Sequence, residues 1–186
     1  MRIRSVIAAL ALSCTALVAA PATAGAATDS EVTVHPDKIS HERAVEMFEE
    51  VGITWSSVGN CSDREDQACT SFEELNWDTA RAAQVLKLRS GCDINIVGGT
   101  ERGHPSEPYS HEEGFRLDYS FNNCLEDFVV DNYRFIENRP DDDVPRYWTG
   151  MGNYFTQMSD HWEGLYFTCG KLLSPAGGVS GPPKGR

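Results

Sequence analysis

Six cysteines in 186 residues, five of them behind an apolar leader, constrain this chain more than any other feature. The leader begins with Arg2 and Arg4, runs apolar from Val6 to Ala20, and continues into the small residues of PATAGAATDS. That order of charged, apolar and small segments predicts a signal peptide over 1–26, cut after Ala24 or Ala26, and hence a secreted protein. The run is too short and alanine-rich for a membrane span, and no second run of spanning length follows it. Cys14 lies inside the leader; Cys61, Cys69, Cys92, Cys124 and Cys169 remain. In an oxidising compartment such a set reads as disulfide staples. Cys61 and Cys69 flank the polar loop CSDREDQAC and form a sensible local pair. Cys92 ends one expected helix and Cys124 begins another, so a bond between them would pin two elements together. Cys169 is then left over. No CxxC spacing occurs, which disfavours a thiolate zinc site.

Cleavage leaves about 160 residues, enough for one domain with a modest core. Without Arg2 and Arg4, 14 basic residues face 28 acidic ones, a charge of -14. No basic stripe can replace the counterions of a nucleic-acid backbone, so that class of partner is excluded. Ser40 caps an expected helix to about Glu50, with Ala44, Met47, Phe48 and Val51 at helical spacing. Thr70-Ser71-Phe72-Glu73 has the form of a capping box opening a second helix, which ends near Ser90-Gly91. The stretch 94–97 reads as a strand. Residues 115–120 alternate: Phe115, Leu117 and Tyr119 face one way, Arg116, Asp118 and Ser120 the other. A third helix is expected over 124–136, a proline-bounded acidic loop over 137–146, and a final strand from His161 to Thr168. The predicted fold is α+β: a small, mostly antiparallel sheet with helices packed on one side, stapled by disulfides. The domain spans 39–173, between a loosely held segment 27–38 and a Gly/Pro-rich tail 174–186 expected to be disordered. A monomer is expected.

The chemistry concentrates in GGTERGHPSEPYSHEEGFRLDYS. His111 and Asp118 are seven residues apart. A strand would separate them by roughly 23 Å and a helix by roughly 10 Å, too far to share an ion. The chain must therefore turn, and Glu112-Glu113-Gly114 supplies the turn that brings Asp118 on its strand beside His111. A third ligand must come from elsewhere, and His161, opening the final strand, supplies it. Trp162 beside it is placed to cover the site. Two histidines and one carboxylate leave a zinc position for water, as catalytic sites require.

These residues resemble the D-Ala-D-Ala metallopeptidases. Ser110-His111, Gly114 and Asp118 are similar to that family's first zinc motif, although Ser110 adjoins the histidine and Arg116 stands where a small residue is expected. His161-Trp162-Glu163 is similar to its second histidine segment. The run from Gly59 to His161 also resembles a set of secreted bacterial and fungal proteins with this kind of domain, through Gly59-Asn60-Cys61, Cys69-Thr70-Ser71, Gly98 to His104 and Ser110-His111, in order. The likeness covers about two-thirds of the mature chain. It implies zinc held by His111, Asp118 and His161, and hydrolysis of small peptides or peptidoglycan fragments. It further implies a glutamate general base three residues before the second histidine, where this chain has Met158, which cannot take a proton. Glu163, on the strand face of His161, is the candidate catalytic replacement; Asp160 is adjacent but expected to point away. Arg102, His104, Ser110 and Trp162 are the candidate substrate-binding residues, Arg102 through a bidentate contact with a carboxylate. The alternative is a binding protein that keeps the scaffold after losing the base.

Other features read more plainly. His35 and His41 are expected at the surface. The tryptophans are expected as core or rim anchors. Asp141-Asp142-Asp143 lacks the spacing of a calcium loop, and no nucleophile elbow occurs.

Overall fold

A computed structural model describes residues 38–139 and 143–167. The leader, Cys169, the triple aspartate before its last member and the Gly/Pro-rich tail lie outside these residues. The elements, in order, are β1 (Lys38–Ile39), α1 (His41–Glu49), β2 (Thr54–Trp55), β3 (Leu75–Asn76), α2 (Trp77–Ser90), β4 (Asn95–Gly98), β5 (Arg116–Ser120), α3 (Asn123–Asn132), β6 (Arg134–Asn138), β7 (Pro145–Trp148), β8 (Tyr154–Gln157) and β9 (His161–Leu165). The fold is α+β as expected. A seven-stranded sheet runs β2-β4-β5-β9-β8-β7-β6, with β1 and β3 forming a separate pair. Every pairing in the large sheet is antiparallel except β2 with β4.

The alternation in β5 sets the two sides of the sheet. Leu117 and Tyr119 are fully buried in the same core cluster as Phe48, Ala83, Leu86, Leu125 and Val129 of the three helices. Arg116, Asp118 and Ser120 therefore point away from the helices. On the neighbouring strand Trp162 also enters that core, so His161 and Glu163 share the face of Asp118. Both anticipated disulfides are present, Cys61–Cys69 and Cys92–Cys124. The second ties the segment after α2 to the first turn of α3. No helix among the described residues is long and apolar enough to cross a membrane.

Local signals succeeded where no tertiary contact competed. Ser40 caps α1 by accepting from the Arg43 N–H, and Gly91 ends α2 in the left-handed conformation at φ 68°. Two expectations are corrected. The Thr70–Glu73 capping box opens no helix, because its groups are engaged elsewhere. Thr70 Oγ1 shares its one hydrogen between the carbonyls of Ser56 and Val97, the Ser71 carbonyl accepts from Thr100, and the Glu73 carboxylate accepts the His41 N–H. Leu75 then pairs with Ile39, and α2 starts at Trp77. The expected helix over 124–136 stops at Asn132, and Arg134–Asn138 forms a strand against β7. Pairing with a neighbour, invisible to a periodicity of 3.6, overrides it. The two ends of the expected acidic loop, Glu137–Asn138 and Pro145–Arg146, pair with each other as parts of β6 and β7.

Candidate metal centre

The turn required between His111 and Asp118 exists. The Gly114 N–H donates to the His111 carbonyl at 2.7 Å, and Phe115 N–H to the Ser110 carbonyl at 3.1 Å. Gly114 adopts φ 77°, which glycine tolerates best, and a side chain there would meet the Glu74 carbonyl at 2.6 Å. β5 then carries Asp118 back past His111. Register supplies the rest: Asp118 stands opposite Gly98 of β4 on one side and Glu163 of β9 on the other, and His161 stands opposite Ser120. Gly98 is needed for this seat, since a Cβ there would lie 2.5 Å from Asp118 Oδ2.

His111 and Asp118 are buried, at 3 % and 5 % exposure. His111 Nδ1 lies 2.7 Å from the Gly99 carbonyl oxygen, so Nδ1 carries the hydrogen and Nε2 faces inward. That Nε2 is 3.4 Å from Asp118 Oδ1, and His161 Nε2 is also 3.4 Å from the same oxygen. Neither contact is an aligned hydrogen bond: Asp118 Oδ1 is a buried oxygen with no hydrogen-bond partner among the described residues. Two atoms bound tetrahedrally at about 2.0–2.1 Å stand about 3.3–3.4 Å apart. Each imidazole–carboxylate spacing, taken singly, is that of two ligands of one ion, and the orphaned oxygen fits a cation. His161 is oriented from behind by Asp160, whose Oδ1 lies 2.8 Å from His161 Nδ1. Ring hydrogen bonds of this kind fix the tautomer of metal-binding histidines.

Without an ion, protons serve the same charges. Burial opposes protonation of His111, but Asp118 and Glu163 outweigh it and raise its pKa to about 10. Burial likewise opposes protonation of His161, but Asp118 and Asp160 raise its pKa to about 8. Burial pushes the Asp118 carboxyl up, and the two imidazoles more than reverse this and hold it well below the usual carboxylate range. A site that retains protons on imidazole so strongly is one in which positive charge is stabilised.

His104, His111 and Asp118 each offer a ligand atom within 4.8 Å of the others, a group that can hold a metal ion. His161, an expected ligand, lies outside that group, although its Nε2 is 3.4 Å from Asp118 Oδ1. His104 lies stacked on His111, with ring centroids 3.8 Å apart and planes at 15°, and its Nε2 is 3.2 Å from Glu101 Oε1. Glu101 is itself buried and accepts the N–H groups of Gly99 and Ser71. His104, Glu101 and Asp118 open onto a cleft of about 480 Å³, whose far wall includes Gln67 and Ala68 of the Cys61–Cys69 loop.

Glu163 Oε2 is 3.6 Å from His111 Nε2, on the same side of the sheet as Asp118. It is held there by Arg116 Nη1 at 2.9 Å and Arg139 Nη1 at 3.4 Å. Burial raises its pKa, and His111 and Arg116 more than reverse this, so it stays ionised. Met158 Sδ lies 3.4 Å from Arg139 Nη2. Arg116 also bonds the Tyr109 carbonyl and Glu107. The signal for Arg116 was its place two residues before Asp118 on the polar strand face. Nothing local to Arg139 or Glu101 announced their roles.

Three of the expected substrate-binding residues do other work. Trp162 does not cover the site: it is fully buried on the opposite side of the sheet, against Phe121 and Tyr147, because strand alternation turns it away from His161. Arg102 is paired with Glu65 and Glu112 at the surface. Ser110 is buried in the turn, where its Oγ accepts the Glu113 N–H. Of that set only His104 faces the cleft. His41 is not a free surface group either: its Nδ1 accepts the Phe72 N–H, and its ring stacks on Phe72. No family model matches this chain, and no curated protein or solved structure matches it.

Proposed function

We propose that this protein is a secreted zinc-dependent hydrolase of small peptides, peptidoglycan-derived ones among them, with His111, Asp118 and His161 as the ligands and Glu163 as the working carboxylate. One observation carries the reading: a buried carboxylate oxygen without a hydrogen bond, 3.4 Å from one nitrogen of each of two imidazoles. Two histidines and a carboxylate suit zinc, and leave a position for water or substrate. The resemblance to the D-Ala-D-Ala metallopeptidases points the same way, and two disulfides suit an oxidising compartment. When bound, zinc lowers the pKa of water and polarises a carbonyl. The chain's own part is to orient and to exclude. The Gly99 carbonyl and Asp160 aim the two imidazoles, Glu163 Oε2 receives a proton from the hydrolytic water, and Arg116 and Arg139 keep that carboxylate ionised and in place. Substrate enters through the cleft beside the Cys61–Cys69 loop.

A second reading, a metal-retaining binding protein without turnover, draws on the same arginines. A carboxylate held by two guanidiniums gives up little proton affinity to water, and Met158 stands where the resemblance implies the base. Metal analysis of the purified protein, followed by turnover of a D-Ala-D-Ala peptide with and without a chelator, separates the two. Zinc at one per chain with chelator-sensitive turnover, abolished by Glu163→Gln, is the expected result. Zinc without turnover favours the binding protein, and absence of stoichiometric metal refutes both.

A further inference from the structure

Each of the three histidines around Asp118 has one ring nitrogen on an oxygen acceptor fixed by the fold. His111 has the Gly99 carbonyl at 2.7 Å, His161 has Asp160 at 2.8 Å, and His104 has Glu101 at 3.2 Å. This is how proteins prepare imidazoles for metals, one nitrogen tied and the other left for the ion. Two of these histidines are the proposed ligands. The third shares the arrangement and has no other employment. Its partner Glu101 is a buried carboxylate at 3 % exposure, anchored by the Gly99 and Ser71 N–H groups, and among the described residues no other imidazole contacts it.

We infer that His104 is a displaceable fourth ligand of the ion site, an inference that rests on the site proposed above. A His104 ligand atom already lies within 4.8 Å of those of His111 and Asp118. In the arrangement described it is off the ion. Two imidazoles with ring centroids 3.8 Å apart and planes 15° from parallel direct their in-plane lone pairs side by side, and these do not meet at one point about 2.1 Å from both. A turn of the His104 ring out of the stack brings its nitrogen round. The ring is free to make that turn on one side, because it lines the cleft and is a quarter exposed. The site then has two states. With His104 on the ion, three imidazoles and one carboxylate fill a tetrahedral set and no position is left for water. With His104 stacked on His111, the fourth position opens toward the cleft. The same side chain thereby closes the site at rest and yields to whatever enters.

The test compares wild type with His104→Ala and His104→Gln, the second keeping a side chain of similar length in the loop. Zinc affinity is measured by competition with a chromophoric chelator, and the visible absorption of the cobalt-loaded proteins reports coordination. Far-UV circular dichroism of the metal-free proteins checks the fold. Both variants should bind zinc about 10- to 100-fold more weakly and show altered cobalt bands as water replaces imidazole. Affinities within twofold of wild type with an unchanged cobalt spectrum would overturn the inference. If wild type binds and His111→Ala does not, while the His104 variants match wild type, only the role of His104 falls. If wild type itself binds no stoichiometric zinc, the ion site falls and takes this inference with it.

Discussion

Replacing Gly98 with alanine tests the position of the Asp118 carboxylate more directly than removing the carboxylate does. The Cβ would lie 2.5 Å from Asp118 Oδ2 and 3.1 Å from both its Cβ and Cγ. Carbon and oxygen in ordinary contact stay about 3.2 Å apart or more, so the carboxylate must retreat by roughly 0.7 Å. Asp118 cannot retreat as a whole, since β5 is held between β4 and β9. The shift falls on the side chain, and it exceeds the roughly 0.2 Å tolerance of a metal–ligand bond. Overpacking of this kind costs about 1–3 kcal/mol. The expected outcome for Gly98→Ala is therefore a folded protein whose urea midpoint is lowered and whose zinc affinity falls by at least tenfold. Gly91→Ala is the control. Gly91 also lies next to an element end, but with nothing within 4 Å and φ +68° its substitution costs about 1–2 kcal/mol through backbone strain alone. Its zinc affinity should not change. If both variants lose stability alike and Gly98→Ala binds zinc as wild type does, the carboxylate of Asp118 is not a ligand and the reasoning is wrong.

Three further outcomes are expected. Zinc affinity should climb with pH, because the ion must displace protons from His111, whose pKa is about 10, and His161, about 8. Both are protonated at neutral pH, so calorimetry should show the affinity rising toward a hundredfold per pH unit below pH 8 and about tenfold above it; a flat profile would exclude these two ligands. Burial lowers the His41 pKa, and its Nδ1 is an acceptor, so the folded state resists a proton that the unfolded chain takes up near 6.5. In metal-free protein the His41 contribution to stability is accordingly lost as pH falls through that value, so the stability difference between wild type and His41→Gln, from denaturant titrations across pH 5–8, should shrink as pH falls. Removing Cys92–Cys124, with a sequence separation of 32, should cost about 4 kcal/mol on the chain-entropy model, against about 2.5 kcal/mol for Cys61–Cys69 with its separation of 8. Melting of the two paired Cys→Ala variants checks the order, and equal losses would contradict it.

Sequence alone determined whatever depends on neighbours along the chain. The period of two in 115–120 placed Asp118 on the face opposite Leu117 and Tyr119. The His111-to-Asp118 spacing demanded a turn, and Gly114 allowed one. Cysteines at 61, 69, 92 and 124 suggested two pairings through the loop and helix ends around them, and the fold made both. Tertiary structure decided whatever depends on which strand lies beside which. Arg134–Asn138 carries enough apolar residues for a helix and becomes a strand only because β7 is there to pair with it. Thr70–Glu73 has the letters of a cap but spends them on β2, β4 and α1. Trp162 looked like a lid until the register of β9 against β5 turned it into the core. The same register brought Glu163 to within 3.6 Å of His111 and set Arg116 and Arg139 around it. A hydrophobic period reports one element's two faces, whereas a site assembled across three strands exists only once their hydrogen bonds have chosen a register.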